Sequence, residues 1–238
     1  MQLRVLGANP ALFPDPATAL HDPNGLLAVG GDLSAARLRC AYRAGIFPWF
    51  GEDQPPLWWS PDPRGIFLLG DFRPGASLRR QLRRDGLTIS CDRAFTAVIR
   101  ECAAPRPLSL GCWITDEMIS AYCVLHASGD AHSIEVWDRH GQLVGGLYGV
   151  AVGLMFCAES MFSRISNGSK LALAALRLLL QEAGAPLFDT QLLNPHLEQL
   201  GAVAVARHDY LAALAVLGRQ PSPWPQHAAD LTGLVAHG

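Results

Sequence analysis

Asp189 and Gln191 interrupt an otherwise apolar run in "PLFDTQLLNPHLEQLGA". The run follows a helix-ending Gly184 and is stopped by Asn194 and Pro195, which predicts a short strand over 187–193. Side chains two apart in a strand share a face, so a carboxylate and a carboxamide would enter the same space. Either they are solvated on an edge strand or they are aimed at something. Glu159, in "FCAESMFSR", is a second acid in an apolar strand. A bare buried carboxylate is costly, so it must be hydrogen-bonded, paired or protonated. One reading is an internal pair with Arg164 or Lys170. The other is a pocket role, because "ESMFSRISNGS" leads into a helix N-terminus, whose exposed amides favour anions.

Arg73, Arg79, Arg80, Arg83 and Arg84 fall within "RPGASLRRQLRR". On a helix, positions 79, 80, 83 and 84 span an arc of about 140° at 100° per residue, beside a Leu78–Leu82 pair. That face is either merely solvated or a phosphate contact. Trp49, Trp58, Trp59, Phe47 and Phe50 lie between prolines in "GIFPWFGEDQPPLWWSPDPRG", a segment unsuited to a long helix or a central strand. They form either a mini-core between domains or a stacking surface. The eight histidines show no His-x-x-x-His, and neither G-x-S-x-G nor a phosphate-binding P-loop occurs. Cys157 is a conceivable nucleophile, although a thiol inside an apolar strand is usually inert. The six cysteines are scattered without a C-x-x-C pair and read as reduced and structural, and no pattern argues for a metal.

These residues need a scaffold. The chain has 238 residues, half of them apolar, and a formal charge of −2, an ordinary globular composition that does not mark a nucleic-acid binder. No stretch reaches a membrane span of roughly 18 apolar residues, and the N-terminus lacks a leader pattern, so a cytoplasmic protein is expected. Residues 1–64 read as a small, loop-rich unit with a helix at 35–44 capped by Ser34. Residues 65–238 read as a larger domain. It has strands in "GIFLL" and "LTISC", and helices over the arginines, at "RAFTAVIRECA" and after Thr115. A three-strand meander at "HSIEVW", "QLVGGLYGV" and "GLMFCAESMF" precedes an apolar helix at 169–183, and the Asp189 strand completes a strand–helix–strand crossover. Short helices are expected at 194–200 and 208–217, and the tail after Gly218 reads as loose. The fold class is α+β.

Several segments, "GLLAVGGDLS", "YRAGIFPWF", "LWWSPDPRGIF", "AHSIEVW", "LVGGLYGVAVG", "ESMFSR", "GSKLAL" and "FDTQLLNPHLEQLGA", closely resemble the bacterial leucyl/phenylalanyl-tRNA–protein transferases. The resemblance spans about Phe13 to Leu214. It implies an enzyme without cofactor or metal that moves leucine or phenylalanine, less readily methionine, from aminoacyl-tRNA to the α-amino group of proteins beginning with Arg or Lys. The product is an N-terminal degradation signal. It also implies a small N-terminal α/β domain before an N-acetyltransferase-like domain.

By the same resemblance, Asp189, Gln191 and Glu159 are the catalytic set. Asp189 would be the electrostatic partner that orients Gln191 or else the base that accepts the proton, Gln191 the positioning group and Glu159 a holder of substrate amino groups. An α-amino group has a pKa near 8, so the neutral amine must be held in line for attack. Met155, Phe156, Met161 and Phe162 would line the aminoacyl pocket, Trp49 and Trp113 would receive the terminal adenosine, and Arg79, Arg80, Arg83 and Arg84 would meet the tRNA backbone. This chain departs from the family pattern with Cys112 for threonine, Asn167-Gly168 for Asp-Ala and Thr190 for cysteine. The Asn167 change bears on acceptor preference. Two rivals are an acyl-CoA-dependent N-acyltransferase, whose Gly-rich pyrophosphate loop is missing before Ser169, and a non-catalytic RNA- or peptide-binding adaptor.

Overall fold

The computed structural model describes residues 3–70, 72–104 and 113–237; Cys112 lies outside them. Four short strands, β1 (Arg4–Leu6), β2 (Leu26–Gly30), β3 (Phe47–Pro48) and β4 (Leu57–Trp59), form a sheet in the order β1-β2-β4-β3. Helix α1 (Ala35–Arg43) joins β2 to β3, and the Ser34 hydroxyl accepts from the Arg37 amide as its cap. The aromatic segment corrects the expectation that it holds no central strand. β4 is an inner strand, and Pro48 stays on edge strand β3, where a missing N–H costs little. Trp58 is fully buried, donates its indole N–H to the Gly30 carbonyl at 2.9 Å and meets Phe13 edge-on.

The second sheet begins with β5 (Arg64–Leu68), α2 (Ala76–Arg84), β6 (Thr88–Cys91), α3 (Phe95–Ala103) and α4 (Asp116–Ala127). The meander follows as β7 (Ala131–Trp137), β8 (Leu143–Val152) and β9 (Met155–Ser163), then α5 (Gly168–Glu182) and β10 (Leu187–Gln191). α6 (Pro195–Gln199), β11 (Ala202–Val205), α7 (Arg207–Leu217), β12 (Ala229–Asp230) and α8 (Thr232–His237) complete the chain. Strand order is β11-β5-β10-β9-β8-β7-β6-β12, with β10 parallel to β9 across the α5 crossover and the remaining pairs antiparallel. The architecture is α+β with mixed sheets.

Two adjacent glycines of β8 show how the layers close. A Cβ on Gly145 would meet the Gly168 backbone at 2.6 Å, and one on Gly146 would meet Val98 at 3.4 Å. Successive strand residues face opposite ways, so α5 lies on one face and α3 on the other.

The tail is not loose. Trp224, Leu231 and Val235 are buried, β12 pairs with β6, and α8 packs against α2, α5 and β6. Its short apolar set has no periodicity of its own because the neighbouring elements, not the tail, complete its packing.

Candidate functional site

β10 is an inner strand, so the solvated-edge reading of Asp189 fails. Its carboxylate is fully buried and both oxygens are taken. Oδ1 accepts from Arg64 Nε (2.8 Å) and the Gln191 amide (2.8 Å), and Oδ2 accepts from Arg64 NH2 (2.6 Å) and the Tyr210 hydroxyl (2.9 Å). Arg64 also donates to the Gly45 carbonyl at 3.0 Å and lies against the rings of Phe47 and Tyr210. Burial works against the Arg64 charge, but Asp189 outweighs it and holds the guanidinium above its ordinary pKa. A carboxylate with four donors around it is a fixed anchor rather than an available base.

Gln191 does not share Asp189's surroundings, as strict alternation would require. The β10–β5 register shifts between them, with Asp189 opposite Ile66 and Gln191 opposite Gly65, and Gln191 has φ +63°. Asp189 therefore fixes the Gln191 backbone, and the carboxamide swings to a separate partner. Gln191 Nε2 donates to Glu159 Oε1 at 2.5 Å, while the carboxamide oxygen of Gln191 has no hydrogen bond from a described residue. A β-bulge does the same for Glu159. Tyr148 pairs with Ser160 and Gly149 with Ala158, so Glu159 is the extra residue, re-aimed out of the ladder.

Glu159 Oε1 also accepts from the Tyr42 hydroxyl at 2.6 Å, and Oε2 from Tyr122 at 3.4 Å. Arg164 is elsewhere, paired with Glu101 at 2.7 Å, so the internal pair with it does not form. Burial pushes the Glu159 carboxyl up to about 7, with the Asp189 charge adding to the rise and the Tyr42 and Gln191 hydrogen bonds opposing it. Burial, and then the charge of Glu159, raise Tyr42 and Tyr122 well above the ordinary phenol range, so both remain donors. Cys157, opposite Asp189, is fully buried, and burial together with that anion holds its thiol protonated. The nucleophilic reading of Cys157 fails.

The remaining expected residues divide. Met155 and Phe156 are fully buried, with Phe156 packed on the Trp224 ring at 5.0 Å. Phe162 is buried opposite Gly146, and Met161, opposite Leu147, is partly exposed on the next position of the strand. Trp49 and Trp113 line one cleft of about 620 Å³, together with Trp59 and Glu52. Trp49 is 41% exposed, and its carbonyl accepts from Trp59 Nε1 at 2.6 Å. Arg79, Arg80, Arg83 and Arg84 lie on α2, where Arg84 pairs with Asp85 and Arg83 reaches the Ala236 carbonyl. Asn167 donates to Gln81 of α2 at 2.8 Å, and the Ser163 hydroxyl accepts from the Ser169 amide at 3.0 Å. The α5 N-terminus is thus partly filled by the chain itself.

Sequence reasoning missed Arg64, Tyr210, Tyr42 and Tyr122 as members of the site. A buried tyrosine hydroxyl needs a partner, which was the available signal. A cavity of about 780 Å³ along β1 and the segment 14–27 is lined by none of these groups. Among the described residues, no cluster of three or more His, Cys, Asp or Glu side chains is placed to hold a metal.

Fold and site define an α+β protein whose polar centre is a carboxyl–carboxamide pair held by tyrosines. Family models for the leucyl/phenylalanyl-tRNA protein transferase and for its N-terminal domain match residues 66–215 and 31–62. The chain belongs to the leucyl/phenylalanyl-tRNA protein transferase family. The leucyl/phenylalanyl-tRNA–protein transferase of Shewanella baltica (strain OS155 / ATCC BAA-1091) is 52% identical over 88% of this chain and 88% of its own length. That of Hahella chejuensis (strain KCTC 2396) is 54% identical over 93% and 94%. Among solved structures, L-PGS from Bacillus licheniformis aligns with a TM-score of 0.38 at 17% identity, over 63% of this chain and 48% of that one.

Proposed function

We propose that this chain transfers leucine or phenylalanine, and less readily methionine, from aminoacyl-tRNA to the α-amino group of proteins beginning with Arg or Lys. The observation that carries the mechanism is the Glu159–Gln191 pair, a carboxyl with a pKa near 7 bonded to a carboxamide whose oxygen accepts no hydrogen bond from a described residue. Gln191 Oε1 accepts a hydrogen from the acceptor amine and turns its lone pair toward the ester carbonyl. Attack forms the C–N bond and breaks the C–O bond to the terminal ribose. The proton lost by the amine ends on the ribose oxygen, with ionised Glu159 attracting the cationic acceptor meanwhile. Orientation supplies most of the acceleration, and Asp189 acts through the Gln191 backbone.

On this reading Trp49 and Trp113 stack the terminal adenosine, while the exposed arginines of α2 meet tRNA phosphates. Met161, the one partly exposed member of its set, touches the aminoacyl side chain. Residues 1–64 and 65–238 are the two domains, the second acetyltransferase-like, and the enzyme works in the cytoplasm without a cofactor. The partly filled α5 N-terminus disfavours a coenzyme A pyrophosphate there.

The test is transfer of labelled leucine from leucyl-tRNA to a peptide starting with Arg, beside the same peptide acetylated at its N-terminus. Labelling of the free-amine peptide alone, abolished by ribonuclease, is expected. Equal labelling of both peptides, or none with tRNA still bound, overturns the proposal.

A further inference from the structure

Helix α2 is poorly equipped to hold its own position. It has nine residues, its Gly75 cap supplies no side-chain hydrogen bond, and only Leu82 is buried. Arg79 with Arg83, and Arg80 with Arg84, are like charges four apart, which repel across one turn. Isolated helices shorter than about 12–15 residues are marginal in water, so α2 depends on its neighbours. One side is tied to the β9–α5 turn, where Gln81 Nε2 donates to the Ser166 carbonyl at 2.8 Å and Gln81 Oε1 accepts from Asn167.

The other side meets the C-terminal tail. Arg83 NH1 donates to the Ala236 carbonyl at 3.4 Å, at the end of α8 where carbonyls lack helical partners. α8 is only six residues long, and it is fastened at three points. Val235 is fully buried, the Thr232 hydroxyl accepts from the Ile89 amide at 2.9 Å, and the Leu231 amide donates to the Ile89 carbonyl at 2.8 Å. Upstream, Trp224 stacks on His132 at 4.4 Å and packs on Phe156. This segment lies beyond residue 215, where the family match ends.

We propose that residues 222–237 are a brace that sets the orientation of α2 and so the affinity for the tRNA body, a role that rests on α2 being the tRNA-facing helix. Among the described residues, the hydrogen bonds that tie the brace to the rest of the chain go to Arg83 and to strand β6, Ile89 included, and none reaches Glu159, Gln191, Tyr42 or Tyr122. Detaching it therefore weakens tRNA binding and leaves the chemical step in place.

The full chain would be compared with Val235→Asp, which forces an unpaired carboxylate into the α8 contact, and with Thr232→Val, which removes the hydroxyl's hydrogen bonds to Ile89 at similar volume. Three readouts apply: amide exchange across 76–84, transfer from leucyl-tRNA, and transfer from a leucyl ester of adenosine that lacks the tRNA body. Both variants should speed exchange in α2 and raise KM for leucyl-tRNA roughly three- to tenfold, with kcat and the adenosine ester unchanged. If Val235→Asp does not fold, Thr232→Val decides alone. Unchanged exchange in α2, or equal losses with both donors, overturns the brace. Arg80→Gln separates the underlying reading. If it leaves tRNA affinity unchanged while the variants still loosen α2, the tRNA assignment of α2 has failed and the mechanical brace stands.

Discussion

Glu159 is the residue on which pH acts. Its carboxyl is raised from 4.5 to about 7, so the fold favours its protonated form. Its stability contribution is fully present below about pH 4.5 and is lost as pH rises toward 7. Glu159→Gln should flatten that part of a pH–stability curve, measured by denaturant midpoints. In transfer assays kcat/KM should rise with pH through about 7, as the carboxylate forms to hold a cationic acceptor, and Glu159→Gln should abolish that step. The acceptor amine, with a pKa of about 8, adds its own limb, and a less basic acceptor moves that limb without moving the Glu159 one. Asp189 behaves differently because its charge is spent on Arg64 and Tyr210. Arg64→Met leaves a buried carboxylate unpaired, an expected loss of about 3–5 kcal/mol in urea unfolding. Gln191→Ala should unfold nearly as the parent does yet lower kcat about 10²-fold, since it removes an orienting group and no buried charge. A kcat within twofold of the parent would contradict the orienting role.

At the scale of elements, two irregularities build the site. The shift at Thr190 in β10 separates Gln191 from Asp189, and the bulge at Glu159 in β9 turns that side chain toward it. Nothing in an alternating apolar pattern marks either, because a bulge is decided by the partner strand. Gly65 supports the first. A Cβ there would stand 3.0 Å from the Leu192 carbonyl carbon, the Leu193 nitrogen and Thr190 Oγ1, two of the three being backbone. Gly65→Ala should therefore shift the segment after Gln191, destabilise the protein by about 1–3 kcal/mol and lower kcat more than it raises KM. The regular elements were legible in comparison. Ser34 and Thr115 cap their helices, and the meander and the α5 crossover fall where apolar periodicity places them. Strand β11 was missed because four alternating small residues carry too little pattern.

Across the whole molecule, charge is local rather than global. With a net charge of −2, long-range attraction to RNA is weak, so on the proposed function phosphate contact falls to the α2 face. The affinity for leucyl-tRNA should fall with salt, and Arg80→Gln should lower the slope of log K against log salt by about one. Arg84→Gln should change it less, because Arg84 already pairs with Asp85 at 2.7 Å. Trp49→Ala and Trp113→Ala, distant in sequence but lining one cleft, should each weaken binding of the adenosine ester by about 1–3 kcal/mol, read as KM for that small donor.

What the sequence determined by itself is the α+β class, most element positions, the family and the three polar residues at the centre, because local propensity and residue type survive without knowledge of neighbours. Tertiary structure alone decided what those residues touch. Arg64 lies 125 positions before Asp189, Tyr42 lies 117 before Glu159, and the tail returns to β6 from the far end of the chain. A carboxylate's role depends on its surroundings, and here Asp189 is saturated by donors, while burial, only partly offset by the hydrogen bonds from Tyr42 and Gln191, pushes Glu159 up to about 7.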